Sequence, residues 1–190
     1  MLTTIRRLSL VVLVLAAGST ARAADAYTVD PVHSSVSFAI SHVGISNVHG
    51  RFDDVSGKLT IDKDDPSKSK FELSIKVESV DTNNKMRDEH LRSPDFFNVK
   101  QFPTLTFQST KVKKVEGGYE VTGDLTLHGV TKPVTFTLKG GDKTVEFPKG
   151  KERLGFVTTL TIKRSDFDMK NMLEALGDEV HISIGVEGVK

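Results

Sequence analysis

The stretch FELSIKV at residues 71–77 alternates strictly between apolar and polar side chains. Its odd-numbered residues are all apolar, and the even-numbered residues between them are polar. A period of two over a segment of this length indicates a β-strand with one face buried and the other in water. The stretch therefore predicts a half-buried strand, with Leu73 and Ile75 on its buried face.

Seven further segments show the same alternation, and short polar turns such as residues 116–118 separate several of them. Such turns favour antiparallel pairing, so we predict an all-β fold with eight antiparallel strands. Strands with one apolar face each close into a barrel or split into a sandwich, and a barrel of eight holds its own side chains or one small ligand. The seven segments are marked by Val36, Phe38 and Ile40; Leu59 and Ile61; Leu105 and Phe107; Tyr119, Val121, Leu125 and Leu127; Val134, Phe136 and Leu138; Leu154, Phe156, Leu160 and Ile162; and Val180, Ile182, Ile184 and Val186.

Two segments break the alternation. Residues 83–92 are strongly charged, lack β-branched side chains and end before Pro94, so a short helix is expected there. Residues 165–176 begin with serine, contain Phe167, Met169 and Met172, and end at Gly177. This pattern predicts a second helical excursion.

The composition excludes several classes of protein. The 190 residues carry 26 Lys and Arg against 25 Asp and Glu, so the chain lacks the basic excess that is typical of nucleic-acid binders. It contains no cysteine, which excludes disulfides, thiolate metal sites and cysteine nucleophiles. Eleven phenylalanines against two tyrosines and no tryptophan suit a dry interior or an apolar pocket.

The first 23 residues resemble a secretory signal peptide. Arg6 and Arg7 precede an uncharged apolar stretch at residues 8–18, and small residues at Ala21 and Ala23 follow. Only 14 residues separate Arg7 from Arg22, which is too short for a membrane-spanning helix. We expect cleavage after Ala23, one mature domain over residues 24–190, and, because the exported chain lacks cysteine, a periplasmic location.

The histidines do not form a recognisable metal motif. There is no HExxH sequence among the six, and His42 and His49 lie seven apart, which puts them on opposite faces of a continuous strand. A GxSxG serine motif and a glycine-rich phosphate loop are also missing from the sequence. The sequence therefore predicts a protein that is not an enzyme, with no cofactor and no metal site.

Three groups of residues each leave two interpretations open. The polar cluster over residues 81–92 either orients a lipid head group at a cavity mouth, through Arg87, His90 or Arg92, or forms a hydrogen-bonded network that fixes a long crossover. Phe96 and Phe97 either line a cavity or cap the barrel. Met169 and Met172, at the spacing of one helical turn, either contact a ligand or pack ordinarily.

Nine longer motifs lie between residues 29 and 167. They are VDPVHSSVSF at residues 29–38, ISHVGIS at 40–46, VHGRF at 48–52, SVDTNN at 79–84, RDEHLRSPDFF at 87–97, FP at 102–103, FQST at 107–110, GDLTLHGVTKPV at 123–134 and RSDF at 164–167. In sequence and in order these motifs resemble those of the YceI-like family. The resemblance spans Tyr27 to the C-terminus, and one departure is Asp168, where the resemblance leads us to expect a glycine.

The resemblance implies a lipocalin-like antiparallel barrel that is exported to the periplasm and binds a polyisoprenoid or related lipid, such as an isoprenoid quinone or a fatty acid derivative. It also implies that members are often dimeric. The alternatives are an exported stress or interaction protein with a filled barrel and no ligand, and a metal-dependent enzyme on the same scaffold. The apolar residues expected to surround the lipid tail are Phe38, Ile40, Leu73, Ile75, Phe107, Leu125, Leu127, Phe136 and Phe156.

Overall fold

The computed structural model describes residues 24–190, so the signal peptide expected at residues 1–23 lies outside the described residues. One antiparallel sheet of twelve strands dominates this region. The strands are β1 (Asp25–Val29), β2 (Ser35–His42), β3 (Ser46–Phe52), β4 (Val55–Ile61), β5 (Lys70–Lys76), β6 (Val80–Asp81), β7 (Thr104–Val115), β8 (Gly118–Leu127), β9 (Val130–Gly140), β10 (Val145–Glu146), β11 (Glu152–Lys163) and β12 (Leu176–Val189).

The sheet closes into a barrel because β12 pairs with β11 on one side and with β1 and β2 on the other. Three walls of the barrel are composite: β1 with β2, β3 with β4, and β5 with β6 each form one interrupted strand. With β7, β8, β9, β11 and β12 they make eight antiparallel strands. The predicted eight-stranded antiparallel barrel is confirmed.

Aromatic rings fill one end of the barrel. The ring of Phe71 lies 5.4 Å from the ring of Phe156 and 5.9 Å from that of Tyr119, measured between centroids. Tyr27 joins this core at 2% exposure. The opposite end is bordered by the β2–β3 hairpin, by the helix after β6 and by the segment that leads into β12.

That helix is α1, Lys85–Arg92, and it confirms the helix predicted over residues 83–92. Asn84 caps it, because its side-chain Oδ1 accepts a hydrogen bond from the backbone N–H of Arg87. Short 3-10 turns lie at Pro66–Lys68, Val77–Ser79 and Arg164–Phe167. No helix within residues 24–190 is long and apolar enough to cross a bilayer.

The prediction of a second helical excursion over residues 165–176 is wrong. Only the 3-10 turn Arg164–Phe167 forms, and Asp168 then adopts the left-handed conformation with φ of 59°. The physical reason is Arg164, whose guanidinium binds backbone carbonyls of residues 169, 171, 176 and 177. These carbonyls converge on one side chain, which a regular helix over the segment does not allow.

Candidate functional site: an apolar cavity inside the barrel

A cavity of about 500 Å³ lies between the aromatic end of the barrel and the β2–β3 hairpin. Its walls are almost entirely apolar side chains from the inward faces of the barrel strands, with α1 and residues 164–172 adding to one end. The volume falls within the roughly 300–1,000 Å³ that is typical of small-molecule sites. The barrel interior is therefore not filled by its own side chains.

The cavity brings together eight of the nine residues that the sequence predicted around a lipid tail. The ring of Phe38 packs against Phe52, with centroids 5.6 Å apart, and the ring of Phe107 packs against Phe136 at 5.1 Å. The strand alternation thus placed these side chains on the correct face. The eight cavity-lining residues are Phe38, Ile40, Leu73, Ile75, Phe107, Leu125, Leu127 and Phe136.

Phe156 does not line this cavity, and the structure corrects its placement. Its ring is 2% exposed and packs edge-on against Phe71, in the aromatic end of the barrel. On β11, the residues that reach the cavity are Leu160 and Ile162, further along the strand. The period of two identifies the face of a strand, but it does not give the height of a residue along the barrel axis.

Six of the seven residues predicted at the cavity mouth do line the cavity. They are Arg87, His90, Phe96, Phe97, Met169 and Met172. Arg92 is the exception, because its Nε donates to the carbonyl of Glu78 and its Nη2 to that of Val80, both at 2.8 Å. Arg92 therefore links α1 to residues 78–80, which precede the helix. This is the role in a hydrogen-bonded network that the sequence offered as one of two interpretations of the polar cluster.

Arg87 takes part in the network and also faces the cavity. Its Nε donates to Thr82 Oγ1 at 2.7 Å, and its Nη2 donates to the Thr82 carbonyl at 2.6 Å. The carboxylate of Asp88, which is buried, accepts hydrogen bonds from the backbone N–H and the hydroxyl of Thr82. Within the described part of the chain, the Arg87 Nη1 group has no protein acceptor.

Arg164 is a site residue whose role the sequence did not reveal. Its side chain is 3% exposed and lines the cavity. Burial lowers the pKa of its guanidinium, and the nearby carboxylate of Asp178 opposes that shift. The guanidinium holds the segment between Phe167 and β12 in place at the cavity mouth.

The histidines are dispersed over the barrel. His42 lines the cavity, whereas His49 lies opposite Ala39 in the β2–β3 pair, on the outer face. Asp30, His33 and Glu187 bring three ligand atoms within 4.8 Å of one another on the outside of the barrel. The Arg153 guanidinium already donates to both carboxylates of this group, so a positive charge already lies against them and the arrangement does not fit a metal ion.

Comparisons with known proteins agree with this geometry. Residues 27–188 match the sequence profile of the YceI-like domain. The chain is 45% identical over 183 residues to Protein YceI of Escherichia coli O17:K52:H18, which covers 94% of this chain and 93% of that protein. The crystal structure of Burkholderia cenocepacia BcnA matches with a TM-score of 0.75 at 26% identity and covers 84% of this chain and 98% of that one.

A second similar structure is a polyisoprenoid binding domain from Saccharophagus degradans that is implicated in plant cell wall breakdown. It matches with a TM-score of 0.62 and covers 85% of this chain and 97% of that one. At 19% identity this likeness concerns the fold alone. The two matched structures share the fold of this chain over 84% and 85% of its length.

Proposed function

This chain belongs to the YceI-like family, and on that premise we propose that its barrel binds a long-chain isoprenoid or a similar amphiphilic lipid and catalyses no reaction. The observation that carries the proposal is the apolar cavity of about 500 Å³. Such a space disfavours the alternative of a filled barrel with no ligand. The polyisoprenoid binding domain from Saccharophagus degradans has the same fold, which is consistent with this choice of ligand.

Burial of the lipid tail supplies the affinity. Each buried methylene contributes about 0.8 kcal/mol, so one five-carbon isoprene unit contributes roughly 4 kcal/mol. A few such units offset the ~4–15 kcal/mol that association costs in lost freedom. The site therefore selects for the length and apolarity of the tail more than for the head group.

The polar head of the lipid lies where the cavity lining becomes polar. Arg87 and His90 are on α1, and His42 is at the end of β2. The Arg87 Nη1 group is a charged donor, which forms shorter and stronger hydrogen bonds than a neutral one. We therefore expect a head group that accepts hydrogen bonds, such as a phosphate or a quinone oxygen.

Native mass spectrometry, followed by organic extraction of the purified protein, tests the proposal by identifying the bound lipid. A titration with a fluorescent polyprenol in detergent then compares the wild type with Phe38→Asp, which sets an unpaired charge against the tail and abolishes binding. Val157→Asp is the matched control, because Val157 is 57% exposed on the outside of the barrel. A wild type that carries no lipid and binds no polyprenol contradicts the proposal.

We further propose that the chain acts in the periplasm after export and cleavage following Ala23. The basic, apolar and small-residue order of residues 1–23 supports this. The intact mass of protein from a periplasmic fraction is expected to correspond to a chain that starts at Ala24. Recovery of a chain that still begins at Met1, held in the membrane fraction, contradicts it. The homodimer implied by the resemblance remains a prediction, which sedimentation of the same material tests.

A further inference from the structure

Apolar side chains are exposed around the cavity mouth. Ile45 is 84% exposed, Val43 51%, Met172 47% and Leu173 39%, and we call these four residues the rim. They come from two segments that touch, because the backbone N–H of Val43 donates to the carbonyl of Ala175 at 2.7 Å. Met172 also lines the cavity, so the exposed apolar surface of the rim is continuous with the cavity wall.

Two of the four rim residues, Val43 and Met172, are held in strained backbone conformations. Val43 has φ of 44° and Gly44 has φ of 72°, and the N–H of Ile45 donates to the His42 carbonyl at 3.2 Å. Two consecutive positive φ angles are what a type I′ hairpin turn requires, and asparagine followed by glycine is the preferred pair. A β-branched valine is a poor residue for this position. Met172 also has a positive φ, of 55°.

The tip of the hairpin contains no carboxylate, lysine or arginine. Residues 41–48, SHVGISNV, contain no Asp, Glu, Lys or Arg, although these four make up 27% of the chain. In water this arrangement is unfavourable for two reasons: the backbone of Val43 is strained, and the apolar side chains of Val43 and Ile45 are both exposed. Such strain persists at sites of function, and an exposed apolar patch marks a surface that meets a partner.

We propose that the rim docks the cavity mouth onto the surface of a lipid bilayer. The tip of the hairpin enters the headgroup region without removing a carboxylate, a lysine or an arginine from water. The cavity then opens toward the bilayer, and a lipid tail moves between the two without crossing water. The identity of this cargo rests on the proposed function, whereas the docking itself does not depend on the cargo.

Flotation with vesicles of phosphatidylethanolamine and phosphatidylglycerol measures docking directly. Protein purified from cells that express the whole chain is expected to float with the vesicles. The double variant Ile45→Asn with Leu173→Asn is expected to lower the bound fraction at least about tenfold, because two apolar side chains no longer enter the bilayer. Val32→Asn is the matched control: Val32 is 80% exposed at the opposite end of the barrel, beside the Asp30 and Arg153 pair.

The substitution Val43→Asn separates docking from folding. It supplies the residue that the turn prefers, so the thermal midpoint is expected to rise while flotation falls. Flotation at the wild-type level in both Val43→Asn and the double variant overturns the inference. A concentration-dependent dimer that these substitutions dissociate, with no flotation of the wild type, also overturns it, in favour of a second copy on the rim.

The cavity variant keeps this inference distinct from the proposed function. Phe38→Asp is expected to float like the wild type, although it no longer binds the fluorescent polyprenol. A wild type that binds polyprenol from detergent but does not float contradicts the docking inference alone. A wild type that floats and binds no polyprenol supports docking and contradicts the proposed function.

Discussion

Gly50 faces the ring of Phe38 across the β2–β3 pair, where the two residues are register partners. A Cβ atom at residue 50 would lie 2.4 Å from Cζ of Phe38 and 2.8 Å from Cγ2 of Thr82. Real Cβ contacts are not that short, so the ring occupies space that only a glycine leaves free. Gly50 thereby lets the Phe38 ring lie against the barrel wall and keeps the cavity open beside it.

Gly50→Ala is expected to weaken lipid binding more than it weakens the fold. The added methyl group pushes the Phe38 ring toward the cavity, where there is space, so the free energy of unfolding falls by less than the ~1–3 kcal/mol typical of overpacking. The affinity for a fluorescent polyprenol is expected to fall several-fold. Gly155→Ala is the control, since the nearest atom that its Cβ would meet in the described part of the chain is the Val186 carbonyl oxygen, at an ordinary 3.7 Å. Unchanged affinity in Gly50→Ala contradicts this view of the wall.

Phe38→Ala and Phe71→Ala are expected to differ in stability. Phe71 is 2% exposed among packed rings, so its truncation leaves a void and costs about 3–5 kcal/mol. Phe38 borders the cavity, so its truncation removes fewer contacts and costs less, while lipid binding weakens. Urea unfolding of the lipid-free proteins, paired with polyprenol titration, makes the comparison. If the two variants are equally destabilised and Phe38→Ala binds polyprenol with the wild-type affinity, the ligand does not bind beside Phe38.

The sequence allowed the barrel strands to be predicted wherever apolar side chains occupy every second position. The strands that the sequence analysis did not predict, β1, β3, β6 and β10, lack this alternation. In β3 the inward positions are Val48, Gly50 and Phe52, and the glycine interrupts the apolar face. In β1 the first inward residue is Asp25, a buried carboxylate bound by Lys190. Strands β6 and β10 are two residues each, too short for any period to show.

The site could be predicted to the level of strand faces and not beyond. Phe38 and Phe156 lie on equally regular strands, yet only Phe38 reaches the cavity, because the other is nearer the aromatic end. The roles of Gly50 and Arg164 depend on partners that other segments bring to them. No local pattern encodes such contacts, so they were visible only in the folded chain.

Asp30 is expected to make the protein sensitive to acid. Hydrogen bonds from His33, from Arg153 and from the backbone N–H of Val32 hold the pKa of this carboxyl well below its usual range. A lowered pKa in the fold means that the stabilisation is present above the unfolded value of about 3.9 and is lost as the pH falls below it. The urea midpoint of Asp30→Asn is therefore expected to vary less than that of the wild type between pH 5 and pH 2.

His33→Ala provides the intermediate case for the same measurement. It removes one hydrogen-bond donor to Asp30 and leaves Arg153 in place, so its acid sensitivity is expected to lie between those of the wild type and Asp30→Asn. Identical acid sensitivity in all three proteins would show that Asp30 does not link stability to pH.

Arg164→Lys is expected to destabilise the segment at the cavity mouth although the charge is kept. The guanidinium serves four carbonyls at 2.8–3.2 Å, and a single ammonium group does not reach all of them. Carbonyls left without donors each cost about 1–3 kcal/mol, so a loss of about 3 kcal/mol is expected. Hydrogen exchange across residues 165–177 is expected to accelerate, whereas Lys170→Ala, an exposed change in the same segment, leaves it near the wild-type rate. Wild-type exchange in Arg164→Lys contradicts the role assigned to the guanidinium.

Asp168→Gly is expected to stabilise the protein. Asp168 lies in the left-handed region with φ of 59° and ψ of 15°. This conformation costs an ordinary L-residue roughly 1–2 kcal/mol, less for aspartate, and costs glycine nothing. Among residues 24–190, the carboxylate lost in the change pairs only with exposed Lys170, and such a pair contributes little. The greater backbone entropy of glycine in the unfolded chain offsets part of this relief of strain, so the free energy of unfolding is expected to rise by about 0.5 kcal/mol.

Asp168→Ala is the control that separates the loss of the carboxylate from the relief of strain, because it loses the same carboxylate but keeps a Cβ in the strained conformation. Thermal unfolding is expected to rank the glycine variant above the wild type and the alanine variant below it. An alanine variant as stable as the glycine variant would show that the backbone conformation at residue 168 carries no strain.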